Sequence, residues 1–252
     1  MSIRAPRLRR EKAHPGQPLP PGLAQGPEAQ CPVVRVRVWE LPIRVIHWTI
    51  VVAILTLSAT GFFIGTPFIN GGDGPADGFL MGKVRAVHYF VGWVLFTAVA
   101  SRVYWAFAGN KWASWRQLIP TTKQRLRLIP YTIKYYFFFR REPPPVAGHN
   151  PLAGMTYVFI FAVIMFQIVT GIALARLASG QSGVVWFLTG WVFNIFPIPV
   201  VRLIHHLTMW YLLGFMVHHV FSVMLVDTEE RSGLLSSMVT GDKHVPEDRL
   251  DS

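Results

Sequence analysis

Four runs of this chain are each long and apolar enough to cross a lipid bilayer. They extend from about Ile43 to Ile64, Val84 to Phe107, Gly154 to Leu174 and Leu203 to Val226. A hydrocarbon core about 30 Å thick takes roughly 20 residues of helix at 1.5 Å each. With 52% hydrophobic and only 15% charged residues among 252, too little polar sequence remains to cover four such helices in water. The chain therefore reads as an all-α membrane protein, a bundle of four transmembrane helices. Two weaker stretches, Leu126–Phe139 and Val184–Val200, contain proline or basic residues. They are expected as short interfacial helices lying on the membrane.

The net charge of +11 is distributed in a way that argues for membrane topology rather than nucleic acid. Residues 1–46 carry eight Lys or Arg, and the segment from Lys111 to Arg141 carries eight more with no acid. The segments after the first and third spans are poor in both; the latter holds only Arg176 and Arg202. Positive loops stay inside. The N-terminus, the second loop and, after an even number of spans, the C-terminus are thus expected in the cytoplasm of a bacterial inner membrane. Residues 1–32, rich in Pro, Gly, Arg and Gln, read as a disordered tail without the apolar core of a signal peptide. The membrane domain is expected over 33–241, and 242–252 as a short cytoplasmic tail.

One cysteine, Cys31, builds neither a disulfide nor a cysteine-ligated cluster, and there is no C-x-x-C-H for covalent haem attachment. The chain also lacks the cysteine set that a nickel–iron centre needs. The polar residues that stand out are histidines. His47, His88, His205, His206, His218 and His219 all fall inside or at the ends of the apolar runs, where an ionisable group marks a functional site by default.

Helix geometry selects among them. His205 and His219 are 14 residues apart, which leaves them about 40° apart on one face and ~21 Å apart along the axis. The other combinations of the two pairs diverge by about 120–140°. Two layers at that spacing suit two stacked b haems. Depth supplies the partners: His47 with His219 toward the cytoplasmic side, His88 with His205 toward the periplasmic side. Two histidines per iron leave no open position, which suits electron transfer. Gly61 and Gly92 share faces with His47 and His88 and allow a flat ring to approach, or else serve close helix packing. Arg102, 14 residues after His88, faces the interior and needs an anion, which a haem propionate provides. Arg44, Arg85 and Arg202, each three residues before a proposed ligand, serve the same purpose or simply mark the interface.

Several segments carry a resemblance: P-I-R-V-I-H-W (42–48), T-G-F-F-I-G (60–65), F-L-M-G-K-V-R-A-V-H (79–88), R-V-Y-W-A-F-A-G-N (102–110), G-H-N-P-L-A (148–153), H-H-L-T-M-W (205–210) and S-S-M-V-T-G (236–241). The chain resembles the cytochrome b subunit of membrane-bound nickel–iron uptake hydrogenases over roughly 38–241. The resemblance implies two haem b groups on His47, His88, His205 and His219, the set chosen by helix arithmetic; His206 and His218 match no ligand position. It implies a partner on the periplasmic face, the iron–sulfur small subunit of the hydrogenase, and membrane quinone as acceptor near the cytoplasmic face. The chain is then a membrane anchor and an electron-transfer subunit of the respiratory chain, not the hydrogen-splitting one. Asn150, with His149, lies on the side expected for quinone and can hydrogen-bond its carbonyl; alternatively, this stretch caps the third span. Trp186 and Trp191 either anchor their loop at the interface or touch the partner.

Two other functions stay open. A formate dehydrogenase cytochrome b subunit shares the four-helix, bis-histidine plan. A haem-free anchor or transporter differs in class; a transporter is expected to show broken helices or repeat symmetry.

Overall fold

The computed structural model describes residues 33–68, 79–136, 139 and 151–246. The described chain opens with a strand, β1 (Val33–Arg37), followed by helices α1 (Leu41–Gly65) and α2 (Leu80–Ala108). Next come α3 (Trp115–Leu118), α4 (Lys123–Tyr136) and α5 (Pro151–Ser179). The short α6 (Gly183–Thr189) and α7 (Val192–Ile195) lead into α8 (Ile198–Glu230), then α9 (Leu234–Thr240) and β2 (Asp242–Pro246).

Helices α1, α2, α5 and α8 are long and apolar enough to span a membrane, as the four apolar runs foretold, and the chain is an integral membrane protein. Each helix outruns the apolar stretch that announced it. At 25 to 33 residues they measure about 37–50 Å, more than the hydrocarbon core, so their end turns reach the headgroups. Proline stands in the first turn of three of them, α1, α5 and α8, where its missing N–H would have no intrahelical partner anyway.

The surface is that of a lipid-solvated bundle. Val52, Leu55, Phe90, Phe107, Phe159, Leu207, Val217 and Phe221 are all exposed on the four long helices, a contiguous apolar area that a water-soluble monomer does not present. The interior is small. One cluster, formed by Ala53, Leu95, Val99, Ile160, Ile164, Ile168 and Leu212, draws on all four spans. Leu212 lies midway between His205 and His219, so this apolar plug separates the two histidine layers.

A second cluster, Val38, Trp39, Ile43, Trp112, Ala113 and Val245, forms a cap at the end of the bundle where both described termini lie. There β1 and β2 pair antiparallel, Val33 opposite Pro246 and Arg37 opposite Asp242. Asp242 accepts from Arg35 at 2.5 Å and faces Arg37 at 3.4 Å. The start of the segment read from sequence as a tail, 242–246, is thus an ordered strand. Helix α9 docks on the base of α1: Trp48 Nε1 donates to the Met238 carbonyl at 3.1 Å, Trp39 Nε1 to Ser237 Oγ at 3.0 Å, and Arg44 to the Val239 carbonyl. The turn after α2 is held by Asn110, whose amide donates to the Val38 carbonyl at 3.1 Å. Its oxygen accepts from Trp112 N and Ala113 N at 3.1 and 2.9 Å. Glu40 accepts from Trp105 Nε1 at 2.9 Å and Asn110 N at 3.2 Å, tying α1 to the end of α2.

Of the expected interfacial segments, α4 covers the first as far as Tyr136, with Pro130 inside it, and α6 and α7 cover most of the second. In the latter pair, Trp186 stacks on Phe193 with ring centres 5.8 Å apart, and Trp191 Nε1 donates to the Leu188 carbonyl. Val184, Phe187 and Leu188 are left exposed, an arrangement suited to interfacial anchoring.

Candidate functional site

His47 stands one and a half turns into α1 and His219 near the last third of α8, both toward the capped end. Their rings face each other with centroids 6.5 Å apart and planes inclined at 54°. An imidazole nitrogen binds a metal ion at about 2 Å, and the ring centre lies ~1 Å further back, so two rings sharing one ion stand about 6 Å apart. The observed spacing fits one iron between them. Phe215 stacks on His219 with centroids at 5.7 Å, and Tyr157 meets it edge-on at 5.9 Å. His47 Nδ1 is buried without a hydrogen-bond partner, a state that ordinarily costs about 1–3 kcal/mol and that a bound group relieves.

At the far end, His88 enters from the third turn of α2 and His205 from the second or third turn of α8. The two come in at one depth: a Cβ on Gly61 of α1 would meet both His88 Cε1 at 3.2 Å and, at 3.9 Å, the sulfur of Met209, one turn after His205 on α8. Each also rests on a helix other than its own. Gly61 of α1 lies under His88, so that a Cβ there would stand 3.2 Å from Cε1; Gly171 of α5 lies under His205 at 3.1 Å. His88 Nδ1 is 2.8 Å from Thr60 Oγ1, and His205 Nδ1 is 2.9 Å from Thr170 Oγ1. Gln167 Nε2 donates to the His205 carbonyl at 3.0 Å, fixing α8 against α5.

Among the described residues no group of three or more His, Cys, Asp or Glu is placed to hold a bare metal ion. The two histidines of each layer would hold a haem b, which would supply one-electron iron chemistry there. The residues fit that group.

The other residues singled out from sequence take the following places. A Cβ on Gly92 would meet nothing within 4 Å, so no neighbouring helix requires a glycine there, which removes the close-packing explanation for it. Gly61 does make a close approach, to the His88 ring. Arg102 is half-buried and donates to the Ala113 carbonyl at 3.4 Å; among the described residues no carboxylate pairs with it. Arg44 is used by the α9 carbonyl, with its Nε buried and unbonded, while Arg85 and Arg202 are exposed. His206 accepts from Trp210 Nε1 at 3.3 Å and lies against Phe62 and Gly65. His218 is exposed beside Ser222. Neither is brought into a histidine pair. Asn150 and His149 lie outside the described residues.

Thr60, Thr170 and Gly171 were missed by the sequence reading. The available signal was a Thr-Gly dipeptide recurring in two different spans, 60–61 and 170–171; by itself such a pair is unremarkable.

Comparison with known proteins adds a family. The model described as prokaryotic cytochrome b561 matches residues 38–241. Among similar proteins, one from Azotobacter chroococcum mcd 1 is 37% identical over 220 residues, covering 86% of this chain and 91% of its own length. One from Rhizobium leguminosarum bv. viciae is 35% identical over 211 residues, covering 82% and 88%. Both bear the name "Probable Ni/Fe-hydrogenase B-type cytochrome subunit". The corresponding hydrogenase 1 subunit of Escherichia coli K12 is 31% identical over 216 residues, covering 83% and 91%.

Proposed function

We propose, from the premise that this chain belongs to the prokaryotic cytochrome b561 family, that it is the b-type cytochrome subunit of a membrane-bound nickel–iron hydrogenase. It carries electrons from the iron–sulfur small subunit, docked on the periplasmic face, across the inner membrane to quinone. The observation that carries the reading is the pairing of His47 with His219 at 6.5 Å, together with His88 and His205 at the opposite end of the same bundle. The relatives' names supply the hydrogenase.

Haem b, when bound, supplies reversible one-electron iron chemistry. The chain's own residues supply the rest. His47 and His219 hold one haem near the cytoplasmic side, and His88 and His205 hold a second near the periplasmic side. Two histidines at each site would suit electron transfer rather than substrate binding at the haem. Gly61 and Gly92 leave room at the helix surfaces, and Arg102 pairs with a propionate near the cytoplasmic end. The apolar plug around Leu212 and Val99 keeps water and protons out of the space between the layers. Asn150 donates a hydrogen bond to a quinone carbonyl on the cytoplasmic side. The small subunit docks beside α6 and α7, whose tryptophans set their depth in the interface. Both termini face the cytoplasm.

The test is a difference spectrum of membranes carrying the full complex, with hydrogen, formate and dithionite added in turn. A b-type signal on hydrogen is the expected result. A signal on formate alone replaces the hydrogenase with a formate dehydrogenase, and no signal with any reductant overturns the haem assignment.

A further inference from the structure

The two histidine layers are built differently. At the far end each ligand ring is seated on a neighbouring helix by the same two-residue device. Thr60 and Gly61 of α1 receive His88; Thr170 and Gly171 of α5 receive His205. In both cases the glycine lets ring carbon Cε1 come within 3.1–3.2 Å of where a Cβ would stand, and the preceding threonine meets ring nitrogen Nδ1. In both cases the threonine hydroxyl also bonds back along its own helix. Thr60 Oγ1 donates to the Thr56 carbonyl at 2.7 Å, with Leu57 O at 3.2 Å; Thr170 Oγ1 lies 3.0 Å from both Phe166 O and Gln167 O. A hydroxyl has one hydrogen. Once that hydrogen goes to a main-chain carbonyl, the oxygen can only accept from the ring, so Nδ1 carries the proton in both histidines. The lone pair is then on Nε2, the nitrogen turned away from the threonine. No such partner exists at the capped end: among the described residues neither His47 nor His219 has a ring-nitrogen hydrogen bond, and His47 Nδ1 is buried and unbonded.

We infer that Thr60 and Thr170 are positioning residues for the far-end haem: they fix the Nε2-ligating tautomer of His88 and His205 and lower the reduction potential of that haem relative to the one held by His47 and His219. The inference rests on the haem reading above. The physical reason is that a ligating imidazole whose second nitrogen donates to an acceptor is a more basic ligand, and the acceptor here is itself polarised by the carbonyl bond behind it. A more basic ligand stabilises the oxidised iron over the reduced. Placing the lower potential at the docking side and the higher one at the quinone side makes internal transfer run inward. The Thr-Gly pairs thus give direction to a bundle whose two ligand sets are otherwise alike, four histidines in two pairs.

The experiment is a redox titration of the purified full complex followed by absorbance and by the low-spin electron paramagnetic resonance signal of each haem. His205→Ala first identifies which signal belongs to the far end. Thr60→Val and Thr170→Val remove the acceptor at nearly constant shape; Thr60→Ser and Thr170→Ser restore it. The expected result in the valine variants is an upward move of the far-end potential by about tenfold in the reduction equilibrium, about 59 mV for one electron. A changed resonance of the same haem, no change at the other, and return toward wild type in the serine variants complete the pattern. Loss of the far-end haem in the valine variants with retention in the serine variants also supports the role. If both haems are present and the valine variants, singly and together, leave both potentials and both resonances as in wild type, the inference is overturned. It is equally overturned if valine and serine variants behave alike. A wild-type complex without two b-type signals instead overturns the underlying haem assignment, a separate result read before any variant is made.

Discussion

At the scale of single residues, the site depends on side chains that lie where a bilayer tolerates few polar groups. His205 is the most constrained of them, held through its ring by Thr170 and through its carbonyl by Gln167. His205→Ala is expected to remove one of the two b-type signals and stop reduction by hydrogen, while dithionite still reduces the other haem; spectra of the purified complex check this. Gly61 makes a sharper case, because its effect comes through contact alone. A Cβ there would already stand 3.2 Å from the His88 ring, and the branches of valine would intrude further. Gly61→Val is expected to displace His88 and reduce far-end haem content severalfold, with the His47–His219 signal kept. Gly92→Ala, facing open space within 4 Å, is expected to leave the helices packed, read as an unchanged melting temperature in detergent. These positions were partly legible beforehand. The histidines stood out because an imidazole in an apolar run is conspicuous, and 14-residue spacing returns to the same helix face. Thr60 and Thr170 did not stand out, since a threonine in a span normally bonds its own helix and its second contact depends on which helix lies alongside.

At the scale of elements, the cap around the base of α1 brings separate sequence motifs into contact. Residues of P-I-R-V-I-H-W reach S-S-M-V-T-G through Arg44 and Trp48. The end of R-V-Y-W-A-F-A-G-N reaches the residues just before the first segment, Asn110 bonding to Val38 and Glu40. These bonds hold the helix that carries His47. Asn110→Ala removes three hydrogen bonds of the turn after α2. At about 1 kcal/mol for each, roughly 2–3 kcal/mol of stability is expected to go, read as a lower melting temperature in detergent, with the spectrum of the His47–His219 haem altered before that of the other. The helices themselves were readable from apolar length. The pairing of β1 with β2 was not, because almost the whole chain separates them; the alternation of Val and Arg in β1 suits a strand without naming its partner, and β2 shows no such alternation. Only the neighbour supplies the hydrogen bonds that make it a strand.

At the scale of the whole molecule, an even number of spans and a cap that joins β1 to β2 put both described ends on one side of the bundle. On the proposed topology the basic segments put that side in the cytoplasm. A fluorescent protein fused to the C-terminus is expected to fluoresce and an alkaline phosphatase fused there to be inactive; the reverse result would invert the assigned direction of electron flow.

By itself, the sequence determined that this chain lives in a membrane, how many times it crosses, and that His205 and His219 lie on one helix face. Each of these follows from a local property, apolar length or helical period, that needs no knowledge of neighbours. The tertiary structure alone decided what each histidine rests on. The Thr-Gly seats at one end and their absence at the other arise where α1 meets α2 and α5 meets α8. Such contacts depend on the rotation and depth of whole helices against one another, and no period within a single helix records them.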